Sequence, residues 1–206
     1  MAKRQPFRKT ISEFKPDSKQ VSLLKRLYMT RQQRMQLLKW GLYGLVCLAL
    51  LLVQDVILCR VSIFGGGTDL CVSAILLITV LEGTETGSIF ALVASLLYLF
   101  SGSAPGPYCV AVICFLGIGA SLFRQLFWQR TFSSTLLCSG IAMVLYEMIV
   151  FFVGFTMRLT LFSRIGIFAM TGLISWACML PLYPLFYNIG KFAVFVYFFH
   201  NVLHNA

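Results

Sequence analysis

Acidic residues are scarce in this chain: seven Asp and Glu stand against seventeen Lys and Arg among 206 residues. Charged residues of both signs make up only 12%, while 59% are hydrophobic. With a mean hydropathy of +0.85, so few charges cannot coat a water-soluble domain of this length, and that class is excluded. Histidine is nearly absent. His200 and His204 are the only two, four apart near the C-terminus, with no carboxylate or cysteine beside them in sequence. That removes the common ingredient of metal sites and nucleophile–base pairs. There is no C-x-x-C. Seven cysteines are scattered one or two per apolar segment, which reads as small polarizable packing residues rather than a metal or disulfide framework. Gly65-Gly66-Gly67 is not followed by Lys-Ser/Thr, so it is no phosphate loop. No metal and no cofactor are implied.

What charge there is lies at one end. Residues 1–39 carry eleven Lys/Arg against Glu13 and Asp17, nine of the ten net positive charges. The basic pI belongs to one segment, so a nucleic-acid partner for the whole chain is not indicated. Residues 1–20 are polar and basic. From Val21 the pattern turns helical, with Val21, Leu24, Leu27, Tyr28, Met35 and Leu38 near one face and Lys25, Arg26, Arg31 and Arg34 beside it. Asp17 and Gln20 suit a helix start. Two readings stand: a basic amphipathic helix on anionic lipid, or a solvated charged tail that sets topology.

Apolar spans follow at Leu37–Leu58, Asp69–Leu81, Thr86–Phe100, Pro107–Phe123, Phe132–Phe155 and Ile165–Asn188. The second and third are short for the hydrocarbon core, which takes about 20 helical residues. The expected fold is therefore an all-α polytopic membrane bundle of about six transmembrane helices. Residues 1–36 form a basic tail, 37–190 the transmembrane domain and 191–206 an aromatic C-terminal segment. That segment is either an interfacial helix or a continuation of the sixth span. Lysine and arginine near span ends favour the cytoplasmic side. The basic tail is expected there, and six spans return Lys191 to the same side. Arg124 and Arg130 are expected on a cytoplasmic loop; Arg60, Arg158 and Arg164 fall outside. The first apolar run is too long for a cleavable signal peptide, and no small-x-small site follows it.

Polar residues at or near membrane depth are candidates for function. Gln54 and Asp55 end the first span, Asp69 opens the second, and Glu82 and Glu85 flank Gly83. Glu147 lies in the middle of the fifth span. A carboxyl group there is costly and must face protein or water. It is either a functional group, which for a proton relay needs a titratable partner on a facing helix, or a hydrogen-bonded structural residue. Gly87, Ala91 and Ser95 recur every fourth residue along one helix face, and Gly117 and Ser121 repeat the spacing in the next span. Small residues at this spacing let helix backbones approach, so these faces are expected to pack on protein. Ser101-Gly102-Ser103-Ala104-Pro105-Gly106-Pro107 reads as an uncharged turn, with Pro105-Gly106 in a type II turn and Gly106 at positive φ. No catalytic constellation is visible.

The order of Gln54, Asp69-Leu70, Gly87 and the run Ser101-Gly102-Ser103-Ala104-Pro105-Gly106 resembles the rod shape-determining MreD family of bacterial inner-membrane proteins. The resemblance covers about residues 45–125. Thr68, Ala94 and Tyr98 stand where the family often has Pro, Gly and Asp. The resemblance implies a non-enzymatic scaffold of the cell-elongation machinery that builds lateral peptidoglycan. Implied partners are an MreC-like protein, an elongation-specific penicillin-binding protein with its SEDS-type glycosyltransferase, and MreB-like filaments. The implied fold is similar to the six-helix substrate-binding subunits of energy-coupling-factor vitamin transporters. A transporter subunit is therefore the rival reading, with Gly87, Ala91 and Ser95 as the surface for its coupling subunit. An intramembrane lipid enzyme is the least supported, because Asp55, Asp69 and Glu147 form no known motif.

Overall fold

The computed structural model describes residues 31–58, 67–127 and 131–204, with side chains of 36–58, 67–126 and 131–191. Residues 1–30, Arg60, Gly65-Gly66 and Arg130 lie outside the described residues, as do the aromatic side chains beyond Lys191. Among the described residues six α-helices follow one another: α1 (Arg31–Val56), α2 (Leu70–Glu82), α3 (Thr84–Phe100), α4 (Tyr108–Phe127), α5 (Phe132–Thr156) and α6 (Ile165–His204). A 3-10 turn (Phe162–Arg164) precedes α6. The chain is an all-α membrane bundle. Four stretches are long and apolar enough to cross a bilayer: Gln36–Val56, Tyr108–Leu126, Phe132–Thr156 and Phe162–Lys191.

The two short helices have a physical explanation in their packing. Thirteen-residue α2 is only about 20 Å long at 1.5 Å per residue. Its residues Cys71–Val80 are all buried, and it touches each of the other five helices. It is apolar on every side because every side meets protein. α2 is thus the axle of the bundle, and its length need not match the hydrocarbon core. α1 packs mainly on α2 and α6, and α6 on α5.

One residue, Gly83, joins α2 to α3. Its φ of +95° is the region that glycine adopts without a Cβ clash, so the chain reverses in a single step. α3 then runs back along α2 in close contact. A Cβ added at Gly87 would sit 2.6 Å from the Thr79 carbonyl oxygen and 3.0 Å from its Cα. One added at Gly117 of α4 would sit 3.0 Å from the Thr79 Cγ2. Thr79 is thus clasped between two glycines from two helices. Ala91 and Ser95 are buried on the same α3 face, with Ser95 Oγ 3.8 Å from the Cys114 sulfur on α4. Ser121 is buried too, its hydroxyl donating to the Ile118 carbonyl at 2.9 Å.

The turn after α3 differs from expectation. Gly102, at φ +81°, holds the left-handed position, and Gly106 does not have positive φ. The cause is the helix end itself. Ser101 and Gly102 donate to the Leu97 and Leu99 carbonyls at 3.0 and 3.1 Å, and a left-handed residue just past the last turn completes such a cap. Gly106 instead opens α4, its carbonyl accepting from the Cys109 N–H at 3.1 Å.

Two further outcomes concern the termini of the spans. α6 continues as one helix to His204, through Pro181 and Pro184, so residues 191–204 prolong the sixth helix beyond the apolar stretch that ends at Lys191. Arg124 is not on a loop. α4 extends to Phe127, and Arg124 lies 2% exposed on the face turned inward. It donates to Thr135 Oγ1 on α5 at 3.1 Å and to the Leu81 carbonyl on α2 at 3.4 Å. Arg158 and Arg164 are exposed, between α5 and α6.

Candidate functional site

The polar residues singled out along the chain converge. Gln54, near the end of α1, reaches across to the start of α2. Its Nε2 donates to Asp69 Oδ1 at 3.0 Å, and its Oε1 accepts from the Cys71 N–H at 2.8 Å. A helix start leaves its first N–H groups without internal partners. Asp69 occupies the N-cap of α2 yet makes no side-chain cap bond. Gln54 supplies the acceptor from another helix, which frees the Asp69 carboxyl to turn inward.

α6 closes the second side. The Asp69 N–H donates to Ser175 Oγ at 2.9 Å. The Ser73 hydroxyl donates to the Asp69 carbonyl at 2.7 Å and lies 3.2 Å from the Ser175 carbonyl. Ser73 and Ser175 are both fully buried. Neither was marked by sequence reasoning, because serines within apolar helices most often bond only to their own helix.

α5 brings the carboxyl group that matters most. Glu147, 3% exposed, lies with its carboxyl against that of Asp69. Gly172 of α6 packs directly on it: a Cβ there would be 3.4 Å from Glu147 Cγ. Oε1 of Glu147 is buried without a hydrogen-bond partner among the described residues. A hydrogen bond between two carboxyl groups needs one proton on the pair. Asp69 is the titratable group on a facing element that a proton-holding role for Glu147 requires. Their separation of 78 positions in sequence hides that relation.

α3 and its turn complete the site. The Tyr98 hydroxyl faces Asp69 and is 3.3 Å from the Ser103 carbonyl, to which it donates. The Ser103 hydroxyl donates to Asp55 Oδ1 at 2.6 Å, and Ser101 Oγ lies 2.9 Å from Ser103 Oγ. The Asp55 carboxyl is thus engaged by Ser103. It ties the α3–α4 turn to the end of α1. Pro105 is exposed, and Gly102 and Gly106 serve the turn's backbone. The Tyr146 hydroxyl stands beside the Cys109 thiol next to this cluster. Tyrosines at depth escape notice in sequence because an aromatic body reads as core; only the position of the hydroxyl separates the two roles.

Chemically, this is a buried hydrogen-bonded hub. It can orient five helices around the Asp69 carboxyl. Among the described residues, no three His, Cys, Asp or Glu side chains are grouped to hold a metal ion. Gly87, Ala91, Ser95, Gly117 and Ser121 lie away from the hub, in the α2–α3–α4 contact. No family model, no curated protein and no solved structure matches the chain.

Proposed function

We propose that this chain is a non-enzymatic integral membrane subunit of the bacterial cell-elongation machinery, a scaffold for lateral peptidoglycan synthesis and cell shape. One observation carries the reading. Gln54, Asp69, Ser101 and Ser103, on which the sequence resemblance to the MreD family rests, are spread over 49 positions of the chain, yet Gln54 bonds Asp69 while Ser101 and Ser103 bond each other and the Asp55 beside Gln54, so all four gather at the end of α1. Residues that share a motif for a structural reason are expected to meet in this way. The reading is further supported by the tightness of the interior, where polar groups are spent on joining helices. In this proposal the protein sits in the bacterial inner membrane with the basic N-terminal segment and residue 191 cytoplasmic. Contacts of the first half of α1 support this reading: Lys39 and Tyr43 meet Glu82, and the Tyr43 hydroxyl reaches the Phe186 carbonyl of α6 at 3.4 Å.

Its partners are then an MreC-like protein, an elongation-specific penicillin-binding protein with a SEDS-type glycosyltransferase, and MreB-like filaments on the cytoplasmic side. The test is depletion in the source cell, scored for shape and for the site of new wall insertion, with affinity purification of the tagged full chain. Loss of rod shape and recovery of the MreC-like and penicillin-binding proteins are expected. Unchanged shape, with an energy-coupling ATPase recovered instead, overturns the proposal in favour of the transporter subunit.

A further inference from the structure

A second polar region lies at the other end of α2, outside the hub. A cavity of about 350 Å³ opens there, lined by Lys39, Glu82, Arg124, Thr135, Tyr187 and Lys191 among others. Each helix contributes from the edge of its apolar stretch. Lys39 is three residues past the start of the α1 stretch at Gln36, Arg124 two before the end of the α4 stretch at Leu126, and Lys191 closes the α6 stretch. Glu82 is the last residue of α2, and Thr135 is in the first turn of α5. The cavity is therefore at the boundary of the hydrocarbon core, at headgroup level.

Its charge is strongly positive. Lys39, Arg124 and Lys191 line it with Glu82, and both oxygens of that carboxylate are engaged. Glu82 Oε2 is 2.6 Å from Lys39 Nζ, and Oε1 accepts from the Tyr43 hydroxyl at 2.8 Å. The Arg124 guanidinium is held in a fixed orientation by Thr135 and the Leu81 carbonyl. Lys191 Nζ sits 4.6 Å from the centre of the Tyr187 ring, an aromatic contact that keeps its charge at the cavity mouth. An oriented guanidinium with an exposed ammonium at the mouth of a cavity of this size, beside the Lys39–Glu82 pair, is a donor set that suits phosphate oxygens.

We propose that this cavity binds a phosphate group, presented by the headgroup of an anionic phospholipid at the boundary of the bundle. The site is distinct from any attraction of the basic N-terminal segment for anionic surfaces, because its cations belong to α1, α4 and α6 and line one open cavity.

The experiment uses the purified full chain in detergent, delipidated and then offered phosphatidylglycerol, phosphatidylcholine or soluble glycerol phosphate, with bound species counted by native mass spectrometry. The N-terminal segment is the same in every variant, so differences report the cavity. Phosphatidylglycerol is expected to bind with defined stoichiometry and phosphatidylcholine at least about tenfold more weakly. Arg124→Gln and Lys191→Gln should each weaken phosphatidylglycerol about tenfold, the effect of losing one charge-assisted hydrogen bond. Lys191 is exposed, so Lys191→Gln keeps the test valid if Arg124→Gln misfolds. Competition by glycerol phosphate assigns recognition to the phosphate itself; no competition, with the variants still weakened, assigns it to the lipid-borne group. Equal binding of the two lipids, or variants that bind phosphatidylglycerol like the wild type, overturns the proposal.

Discussion

Gly87→Ala should destabilise this protein although it adds one methyl group and improves helix propensity. The added Cβ would stand 2.6 Å from the Thr79 carbonyl oxygen and 3.0 Å from Thr79 Cα. Ordinary carbon–oxygen contacts in close helix pairs fall at about 3.3–3.6 Å, so α2 and α3 must separate by about 0.7 Å or more. A gap of that size forfeits roughly a quarter to a half of the dispersion attraction along the interface. Overpacking of this kind costs about 1–3 kcal/mol, against a propensity gain of up to about 1 kcal/mol. The clash is with backbone, which no rotamer change relieves. Gly117→Ala meets the same residue differently: its Cβ would be 3.0 Å from Thr79 Cγ2, a side-chain methyl. Thr79→Ser removes that methyl and should rescue Gly117→Ala while leaving Gly87→Ala unrescued. Gly119→Ala is the control, since a Cβ there has no neighbour within 4 Å; it should be neutral or slightly stabilising. Reversible unfolding in mixed detergent and SDS, followed by circular dichroism, reads the series. A Gly87→Ala protein as stable as Gly119→Ala, or rescued by Thr79→Ser, would refute the close approach of α2 and α3 at this point.

Three other outcomes follow from the hub and its surroundings. Gln54→Leu removes the acceptor of the Cys71 N–H and the donor to Asp69 together, so unfolding free energy should fall by about 2–4 kcal/mol. Glu147→Gln keeps the shape and a hydrogen-bonding head group, so it should cost no more than about 1 kcal/mol, whereas Glu147→Ala opens a buried void and should cost about 2–4 kcal/mol; equal stability of the two variants contradicts the packing of α6 on Glu147. Gly140→Ala should fail to fold or lose the native Trp environment, because its Cβ would overlap the Trp176 indole at Nε1, which is anchored to the Leu136 carbonyl at 3.1 Å; unchanged tryptophan fluorescence is the contrary result.

The class of the protein and its helix boundaries were legible because both are written locally. Apolar runs, the breaks at Gly83 and Ser101–Pro107, and the lone carboxyl at Glu147 need no partner to be seen. The expected third span, Thr86–Phe100, matches α3 (Thr84–Phe100), and Phe132–Phe155 matches α5 (Phe132–Thr156), each within two residues. The positive-φ glycine was misplaced from Gly102 to Gly106, since Pro-Gly is the stronger local turn signal while the choice between glycines is made by how α3 ends. Arg124 was misread as a loop residue because a charge next to a span end resembles a flank. Only the neighbouring Thr135 and Leu81 show that the helix carries it inward.

By itself, then, the sequence determined that this is an α-helical membrane protein, where most of its helices begin and end, and which polar residues sit too deep to be ordinary. The tertiary structure alone decided that α2 is the axle, that Asp69 faces Glu147 while Ser103 engages Asp55, and that Lys39, Arg124 and Lys191 share a cavity. The reason is physical. In water a helix shows its buried side as an apolar stripe, but in a bilayer lipid and protein are equally apolar partners. Periodicity cannot tell them apart, so which face is inside is settled only when the helices pack.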